Sequence, residues 1–576
     1  MINLSQKRRA ELLEYLNHLK EIHTDDESRI ALGKIETALT EKKYGLVWEE
    51  HEEEVDKKLV HNIPVFREVE DKKIVADENE DFNFVLEGDN LHSLKLLKKT
   101  HMGKIDVIYI DPPYNTRKKE FIYNDTRIGE DDTYRHSKWI SFMSERLVIA
   151  KELLSDEGVI FISIDDNEQG QLKLLCDQIF GEKNFIANII RNTNSSKNQS
   201  LYVSVSHEYC LIYSKDYEKL QVRHKDNKWE TEKNNIDEYE KKVKQLQKLG
   251  LSHDEITEEL KELTKYPRFI DFTNYWYFDD RGLYRKDNLG GVKKGNNTPI
   301  LNPLTNDEDP VPPGGYRYNN ERLNELIAEN RIHFHIDGSL PTLKRYLSEN
   351  RKQRPKSIMS DDQRPDYTLL KNMDIKFDNP KQMAFMKRIL SIFDNNSLYL
   401  DFFAGSGTTG HAVIELNHED GGKRKFILCT NNENGIAENV CYKRIERVIR
   451  GYKYTSRKKE IEVEKLPSNL KYYKTEFIPK LSEDEEILSS KLLDYIKEMV
   501  ELENMCEIDG NSRRIILSDE DLNIALSEMK ESGVLYIPSF ILLTNEIKDS
   551  IEERNLEVVT IPDYYFTEEL REVNEL

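Results

Sequence analysis

The sequence predicts an α/β protein built on one mostly parallel sheet, with a domain inserted into it, a helical amino-terminal extension and a small α/β unit at the carboxyl end. Three observations carry that prediction. Short apolar runs rich in β-branched and aromatic residues, "FNFVLEGDN", "IDVIYID", "GVIFISIDDNE" and "SLYLDFF", alternate with helical patterns, and strands that alternate with helices argue for parallel pairing. The rhythm stops near residue 216 and resumes near 366, as it would around an insertion. Two of the runs end abruptly, one on consecutive prolines and one on glycines, and neither ending lets a strand continue.

Residues 1–60 carry helical apolar spacing (Leu12, Leu13, Tyr15, Leu16, Leu19) under heavy charge and form the extension. Residues 61–215 make the first part of the core: the strand "FNFVLEGDN", the helix "LHSLKLLKK", the strand Ile105–Ile110, the helix "WISFMSERLVIAKELL", and the strands "GVIFISIDDNE" and "HEYCLIYSK". Residues 216–365 are the insertion. Within it Ser252 and Glu255 are spaced as a capping box at the head of a helix, "FIDFTNYWYFDDRGLYR" is aromatic and basic, and "VPPGGYRYN" is a turn. The core resumes over 366–455 with "QMAFMKRILSIF", "SLYLDFFAGSGTTGHAVIEL" and "KRKFILCTNNE", and is expected to be complete by about residue 455. Residues 456–576 end in "LNIALSEMKE", "VLYIP", "NEIKDSIEERN" and "LEVVTIP", a small α/β unit expected to serve assembly.

Composition removes several function classes. A chain of 576 residues holds several domains. No stretch approaches the ~18 apolar residues of a membrane span and the amino terminus lacks a signal-peptide pattern, so a soluble cytoplasmic protein is expected. The five cysteines (Cys176, Cys210, Cys429, Cys441, Cys506) are scattered without a CxxC, which argues against a disulfide framework and against a metal site. The net charge of −22 argues against a simple nucleic-acid coat. The charge is uneven, however: "WEEHEEEVD" and "LSEDEEIL" lie near the ends, whereas "SSKNQ", "GGVKKGNN" and "RKQRPK" lie in the middle. A DNA cleft stays compatible with the sequence.

Chemistry concentrates in two motifs. The strand Ile105–Ile110 stops on Asp111-Pro112-Pro113-Tyr114. Two prolines fix φ twice and remove two donors, so this loop is stiff and its carbonyls are free. At the carboxyl end of a strand in an open α/β sheet, a carboxylate, free carbonyls and an aromatic face suit a flat, amine-bearing ring. The second motif runs from the strand Leu398–Phe403 into Gly405-Ser406-Gly407-Thr408-Thr409. Glycines there let backbone N–H groups approach a ligand, and the helix that follows adds a favourable field for an anion. Alone, this turn fits a nucleotide loop or a tight strand-to-helix connection equally. It is not a P-loop, because no Gly-Lys-Ser/Thr follows. As a pair, the motifs offer a cofactor loop and an amine-binding loop on one sheet.

"DPPYNT" followed by "DFFAGSGTT" resembles the amino-methyltransferases that methylate bases in DNA with S-adenosylmethionine, and the motif order, with an insertion between, resembles their β class. "EGDNLHSLKLL", "VSVSHEYCLIYSK", "RIHFHIDGSLPTLKRYLSE", "KFDNPKQ" and "KFILCTNNENGIAENVCYKRIERV" are similar to the modification (Mod) subunits of type III restriction-modification systems. The resemblance implies a Rossmann-like S-adenosylmethionine-dependent methyltransferase core with an inserted target recognition domain. It gives Asp111, Pro112, Pro113 and Tyr114 to catalysis on the N6 amine of a flipped adenine. It sets Phe403, Gly405, Gly407, Asp401 and Thr408 around the methionine part of the cofactor, and Asn379 and Lys381 at its carboxylate. Asp89 falls near the adenine of the cofactor, and Glu433 or Asn431 near its ribose. A helix cap is open to Asp89 as well, and an ordinary turn to "TNNEN". Within the insertion the aromatic and basic residues suit base and phosphate contact, although "NYWYF" fits a plain core as well. "IIRNTNSS" carries Arg191 where relatives often have tryptophan. The implied partners are double-stranded DNA, a second copy of the chain and a separate ATP-dependent restriction (Res) subunit.

Two alternatives stay beside this reading. The amine could belong to cytosine N4, an RNA base or a glutamine amide, or the enzyme could stand alone without a restriction partner; an aspartate opening the tetrad favours adenine. A non-catalytic DNA-recognition module is the third class, and two intact motifs argue against it.

Overall fold

The computed structural model describes residues 4–23, 25–40, 48, 53–78, 80–116, 122–123, 126–127, 135–192, 202–360, 364–457, 459–480, 488–529, 532–539, 541–561, 565, 567 and 571. The basic stretch at 195–199, residues 49–52 of the acidic stretch at 48–56 and residues 481–487 of that at 481–488 lie outside them. Among the described residues a sheet of ten strands organises the molecule. Numbered along the chain these are β1 (Asn62–Glu68), β2 (Phe82–Glu87), β3 (Ile105–Ile110), β4 (Leu154–Ile164), β5 (Phe185–Asn192), β6 (His207–Ser214), β7 (Ile358–Ser360), β8 (Leu398–Asp401), β9 (Lys425–Thr430) and β10 (Asn469–Pro479). Their spatial order is β1-β10-β2-β9-β8-β3-β4-β6-β5-β7. The run from β10 to β4 is parallel throughout. β6 is antiparallel to β4, and β5 is antiparallel to β6.

Strand sequence explains the layering. In β3, Ile108 and Ile110 face one core together with Leu91, Leu94, Trp139 and Met143 of the helices Asn90–His101 and Arg135–Leu153. Val107 and Tyr109 face the other, against Phe385, Met386, Ala412, Val413 and Ile445 of the helices Met383–Leu390, Thr408–Asp420 and Lys443–Arg450. Alternation with period two therefore feeds two apolar layers, and a run apolar at nearly every position is what a strand covered on both faces requires.

Between β6 and β7 the inserted domain builds cores of its own, one around Tyr239, Ile256, Leu260, Phe269 and Phe272 and another around Leu289, Tyr316, Leu323 and Leu343. The expected capping box is present: the Ser252 hydroxyl accepts from the Glu255 backbone N–H, and the Glu255 carboxylate accepts from the Ser252 N–H. "NYWYF" resolves toward core, since Tyr275 is buried and Trp276 and Phe278 pack against the same cluster. At the amino end the helices Leu4–Ile22 and Asp26–Thr40 lie against each other with Leu16 and Leu32 buried, whereas Leu12 and Tyr15 of the same apolar pattern are exposed.

The expectation that the core closes by about residue 455 needs correction. β10 lies inside the main sheet, parallel to β2 and antiparallel to β1, and the helix Ile496–Asn504 packs Met499, Val500 and Leu502 into the core beneath it. The strand is hidden in the sequence by its charges. Lys471 is fully buried, and its ammonium donates to Glu68 at 2.9 Å and Glu501 at 2.8 Å. Beyond it the parallel strands Arg513–Ile515, Gly533–Pro538 and Leu556–Ile561 form the expected α/β unit, though Tyr536 and Ile561 share the main core. Replacing Lys471 by Met leaves two buried carboxylates without their cation, and a loss of about 3–5 kcal/mol is expected by chemical denaturation; a change near zero would show that the tail is not part of the cooperative unit.

Candidate active site

Because β10, β2, β9, β8, β3 and β4 run the same way, their carboxyl ends share one edge, and Asp89 (after β2), Asn431 and Glu433 (after β9), Phe403 to Gly407 (after β8) and Asp111 to Tyr114 (after β3) are carried there side by side. From β3 the chain moves on to β4, and from β8 to β9 on the opposite side. The loops after these neighbouring strands part, and such a switch point opens a crevice for ligands. β6 begins at this edge and β5 ends there, which adds Glu208 and Arg191, directly opposite each other in the antiparallel register.

The proline loop is locked from both sides. Pro112 is buried, and the Trp139 indole N–H donates to the Pro113 carbonyl at 2.7 Å. Of the two proline carbonyls, that of Pro113 is thus engaged. Asn115 turns the chain with φ of 55°, and its amide donates to the fully buried Glu168, which also lies 2.6 Å from His136 Nδ1. Burial pushes the Glu168 carboxyl up to about 8, against the opposing pull of Asn115 and Arg135.

Five side chains from four segments meet beyond the prolines. The Tyr114 hydroxyl lies 2.8 Å from Asp111 Oδ1 and 3.2 Å from Glu208 Oε2, and accepts from Lys381 Nζ at 2.5 Å. Lys381 also lies 3.0 Å from Asp111 Oδ1 and 2.9 Å from Glu208 Oε2, and Arg191 Nη2 donates to Glu208 Oε2 at 2.5 Å. Burial opposes the charge on Glu208, but Lys381 and Arg191 outweigh it and hold its carboxyl down at about 2. Burial, then the negative charges of Asp111 and Glu208, push the Tyr114 phenol well above its usual range. Asp111 Oδ1 is thus held, and Oδ2 is the oxygen left to a ligand.

Around the glycine loop the predicted residues divide. Asp401 is buried with both oxygens used, Oδ1 by the Phe403 N–H at 3.0 Å and Oδ2 by the Thr409 hydroxyl at 2.5 Å. Burial raises its carboxyl to about 7. The Thr408 hydroxyl accepts from the fully buried Arg444 at 2.8 Å. These two shape the loop. Gly407 is left-handed (φ 71°), a conformation that strains any L side chain, and a Cβ there would also stand 3.2 Å from Cys441 Sγ. Gly405 (φ 49°) is different: an added Cβ would meet only Phe377 at 3.5 Å and the Phe403 carbonyl at 3.8 Å, so the backbone there borders open space. Phe403 is half-buried against Phe142 and Phe402.

Asp89 is a helix cap, with Oδ1 accepting from the Leu91 N–H at 2.8 Å, yet a third of its side chain is exposed at the edge. Asn431 and Glu433 are exposed. Asn379 (φ 53°) accepts from the Tyr367 hydroxyl at 2.8 Å. Lys381 stands with Asp111 and Glu208, in the cluster beyond the prolines. Carboxylates flanking a glycine loop suit a ligand with ribose hydroxyls and an amine, so the residues present fit a nucleoside-bearing cofactor. Sequence reasoning missed the roles of Glu208, Arg191, Trp139, Asn115 and Glu168; the one available signal was a His-Glu pair opening an otherwise apolar strand.

Fold and site together define an open α/β fold with a glycine loop and a carboxylate-bearing proline loop side by side at a switch point. Residues 105–440 match the DNA methylase family (N6_N4_Mtase), and the chain belongs to that family. It is 32% identical over 409 residues to the type III restriction-modification enzyme StyLTI Mod subunit of Salmonella typhimurium, covering 65% of this chain and 57% of that protein. It is 30% identical over 438 residues to the EcoP15I Mod subunit of Escherichia coli, covering 69% of this chain and 66% of that one. With the type II methyltransferase M.KpnI of Klebsiella pneumoniae it shares 31% over 391 residues, covering 62% of this chain and 82% of the other. The matched region thus spans 57% of the length of one of these Mod subunits and 66% of the other. Among the described residues no helix is long and apolar enough to cross a membrane.

The raised Glu168 carboxyl has a signed consequence. A carboxyl whose folded value lies near 8 contributes stability that is fully present below the unfolded value of about 4.5 and is lost as pH rises through 8. The difference in melting temperature between Glu168→Gln and the natural chain is therefore expected to move in favour of the variant as pH rises from about 5 to about 8.5; a difference independent of pH would place the Glu168 carboxyl at an ordinary value.

Proposed function

We propose that this protein is a DNA methyltransferase that transfers a methyl group from S-adenosylmethionine to N6 of a flipped adenine, as the modification subunit of a type III restriction-modification system. The observation that carries the reading is the Asp111 carboxylate, one oxygen fixed by Tyr114 and Lys381 and the other open, at the switch point beside the glycine loop. Family membership and the likeness to Mod subunits support it.

S-adenosylmethionine, when bound, supplies an electrophilic methyl group. Phe403 and the backbone at Gly405 would hold its methionine part, and Asp89 and Glu433 its nucleoside hydroxyls and amine. An exocyclic base amine is a weak nucleophile because its lone pair is delocalised into the ring. Asp111 Oδ2 accepts one N–H of that amine and the Pro112 carbonyl the other, which draws the lone pair out of the ring as positive charge develops on nitrogen. The half-buried Tyr114 ring offers a stacking face for the base, which must leave the duplex to reach this depth. Fixing the amine in one orientation supplies much of the rate. The helices at the amino end and the α/β unit at the carboxyl end are, in this reading, the surfaces on which a second copy and a Res subunit assemble, and the inserted domain reads the site.

Asp111→Ala is expected to abolish tritium transfer from labelled cofactor to DNA while calorimetry shows cofactor affinity preserved within about threefold, because the carboxylate acts on the amine and the glycine loop holds the cofactor. Turnover above about a tenth of the natural rate in the variant would remove Asp111 from the reaction.

A further inference from the structure

Glu208 belongs to neither motif, yet its carboxylate reaches the proline loop through Tyr114 and Lys381. It enters the site at the start of β6 with Arg191 across the ladder from it. Arg191 is 3% exposed and Lys381 8% exposed. Two cations, Arg191 and Lys381, and two anions, Glu208 and Asp111, are therefore packed together with the Tyr114 hydroxyl, and no member of the set can lose its charge without leaving another uncompensated. The Nη2 of Arg191 is spent on Glu208, while its buried Nη1 has no hydrogen-bond partner among the described residues. Glu208 is the anion that answers Arg191.

The position of Lys381 is the informative one. It stands almost equidistant from Glu208 Oε2, at 2.9 Å, and Asp111 Oδ1, at 3.0 Å. Given Asp111 alone, a buried ammonium would close on that carboxylate and compete with any amine for it. Given Glu208 as well, the cation is shared. It steadies one Asp111 oxygen without neutralising the carboxylate, and Tyr114 is held by the same two anions.

We infer that Glu208, itself fixed by Arg191, is a positioning residue for methyl transfer: by sharing Lys381 and Tyr114 with Asp111 it keeps Asp111 oriented and one of its oxygens open to the target amine. The inference rests on the methyltransferase reading above. Glu208 is an anion throughout the working range, since Lys381 and Arg191 hold its carboxyl down despite burial. The groups facing it are Arg191 from β5, Tyr114 and Asp111 from the proline loop, and Lys381 from the segment before the helix Met383–Leu390.

The test uses the full-length chain, labelled S-adenosylmethionine and duplex DNA carrying its site, and measures the single-turnover rate, cofactor affinity by calorimetry and melting temperature. E208Q is expected to slow single-turnover transfer about 10- to 100-fold with cofactor affinity changed by no more than about threefold, the pattern of a misplaced acceptor and not of a lost binding contact. E208D, which keeps the charge and draws it back by one methylene, is expected to be folded and to fall between E208Q and the natural chain. R191M/E208Q removes the buried cation that E208Q strands, and is expected to regain melting temperature but not rate. The inference is overturned if E208Q, or E208D should E208Q not fold, transfers within about twofold of the natural rate. It is overturned equally if R191M/E208Q recovers the rate, which would reduce Glu208 to balancing charge, or if E208Q loses cofactor binding. A natural chain that transfers no methyl group to DNA would overturn the methyltransferase reading and this inference with it, whereas an active natural chain with an unimpaired E208Q would overturn this inference alone.

Discussion

At the start of β6 a carboxylate is held by an arginine from β5, a lysine 173 residues further on, and a tyrosine hydroxyl from the proline loop. Charges taken out of water must find each other in good geometry, because an unmatched one costs several kcal/mol. The Arg191–Glu208–Lys381–Asp111 set meets that demand and, in doing so, ties together segments that the chain keeps far apart. The β5–β6 register, the exit angle of the proline loop and the placement of Lys381 are all constrained by one local requirement. A site assembled this way is stiff, and stiffness is what an acceptor for a weakly nucleophilic amine needs.

The sheet supplies the frame in which that requirement can be satisfied. Parallel strands bring every carboxyl end to one edge, and the parting of the chain after β3 and β8 opens the crevice between the proline loop and the glycine loop. The other faces are closed by two apolar layers, so the loops carry little structural duty beyond their own turns. Asn115 and Asp401 show how those turns are kept: each sits beside a chemically important residue and spends its side chain on local hydrogen bonds, to Glu168 in one case and to Phe403 and Thr409 in the other. Asp401, which the resemblance sets near the methionine part of the cofactor, braces the loop with both of its oxygens.

Legibility in the sequence follows from where a residue's partners lie. β2, β3 and β8 are mostly apolar and are followed within a few residues by glycine or proline, so they are plain from local pattern alone. Asp111 and Tyr114 are equally plain, because a motif at a strand end carries its own chemistry. β10 is not plain, since Lys471, Lys474 and Glu476 break its apolar run; burial of Lys471 is allowed only by Glu68 and Glu501, more than four hundred residues before it and thirty after. Glu208 and Arg191 are hidden for the same reason. Each looks like a surface charge on a strand until the antiparallel ladder sets them face to face. Gly407 carries a constraint that local pattern does not show: besides its left-handed φ, Cys441 stands where a Cβ would fall.

The central claim is that this site presents an open carboxylate oxygen to the amine of an extruded adenine. Single-molecule sequencing of genomic DNA from cells that lack other methyltransferases and express this chain tests it most directly, because base, strand and sequence context are read together. N6-methyladenine on one strand of a short asymmetric site is expected, and its disappearance when Asp111 is replaced by Ala. N4-methylcytosine at a defined site, or DNA that remains unmodified while the folded chain binds S-adenosylmethionine, would contradict it.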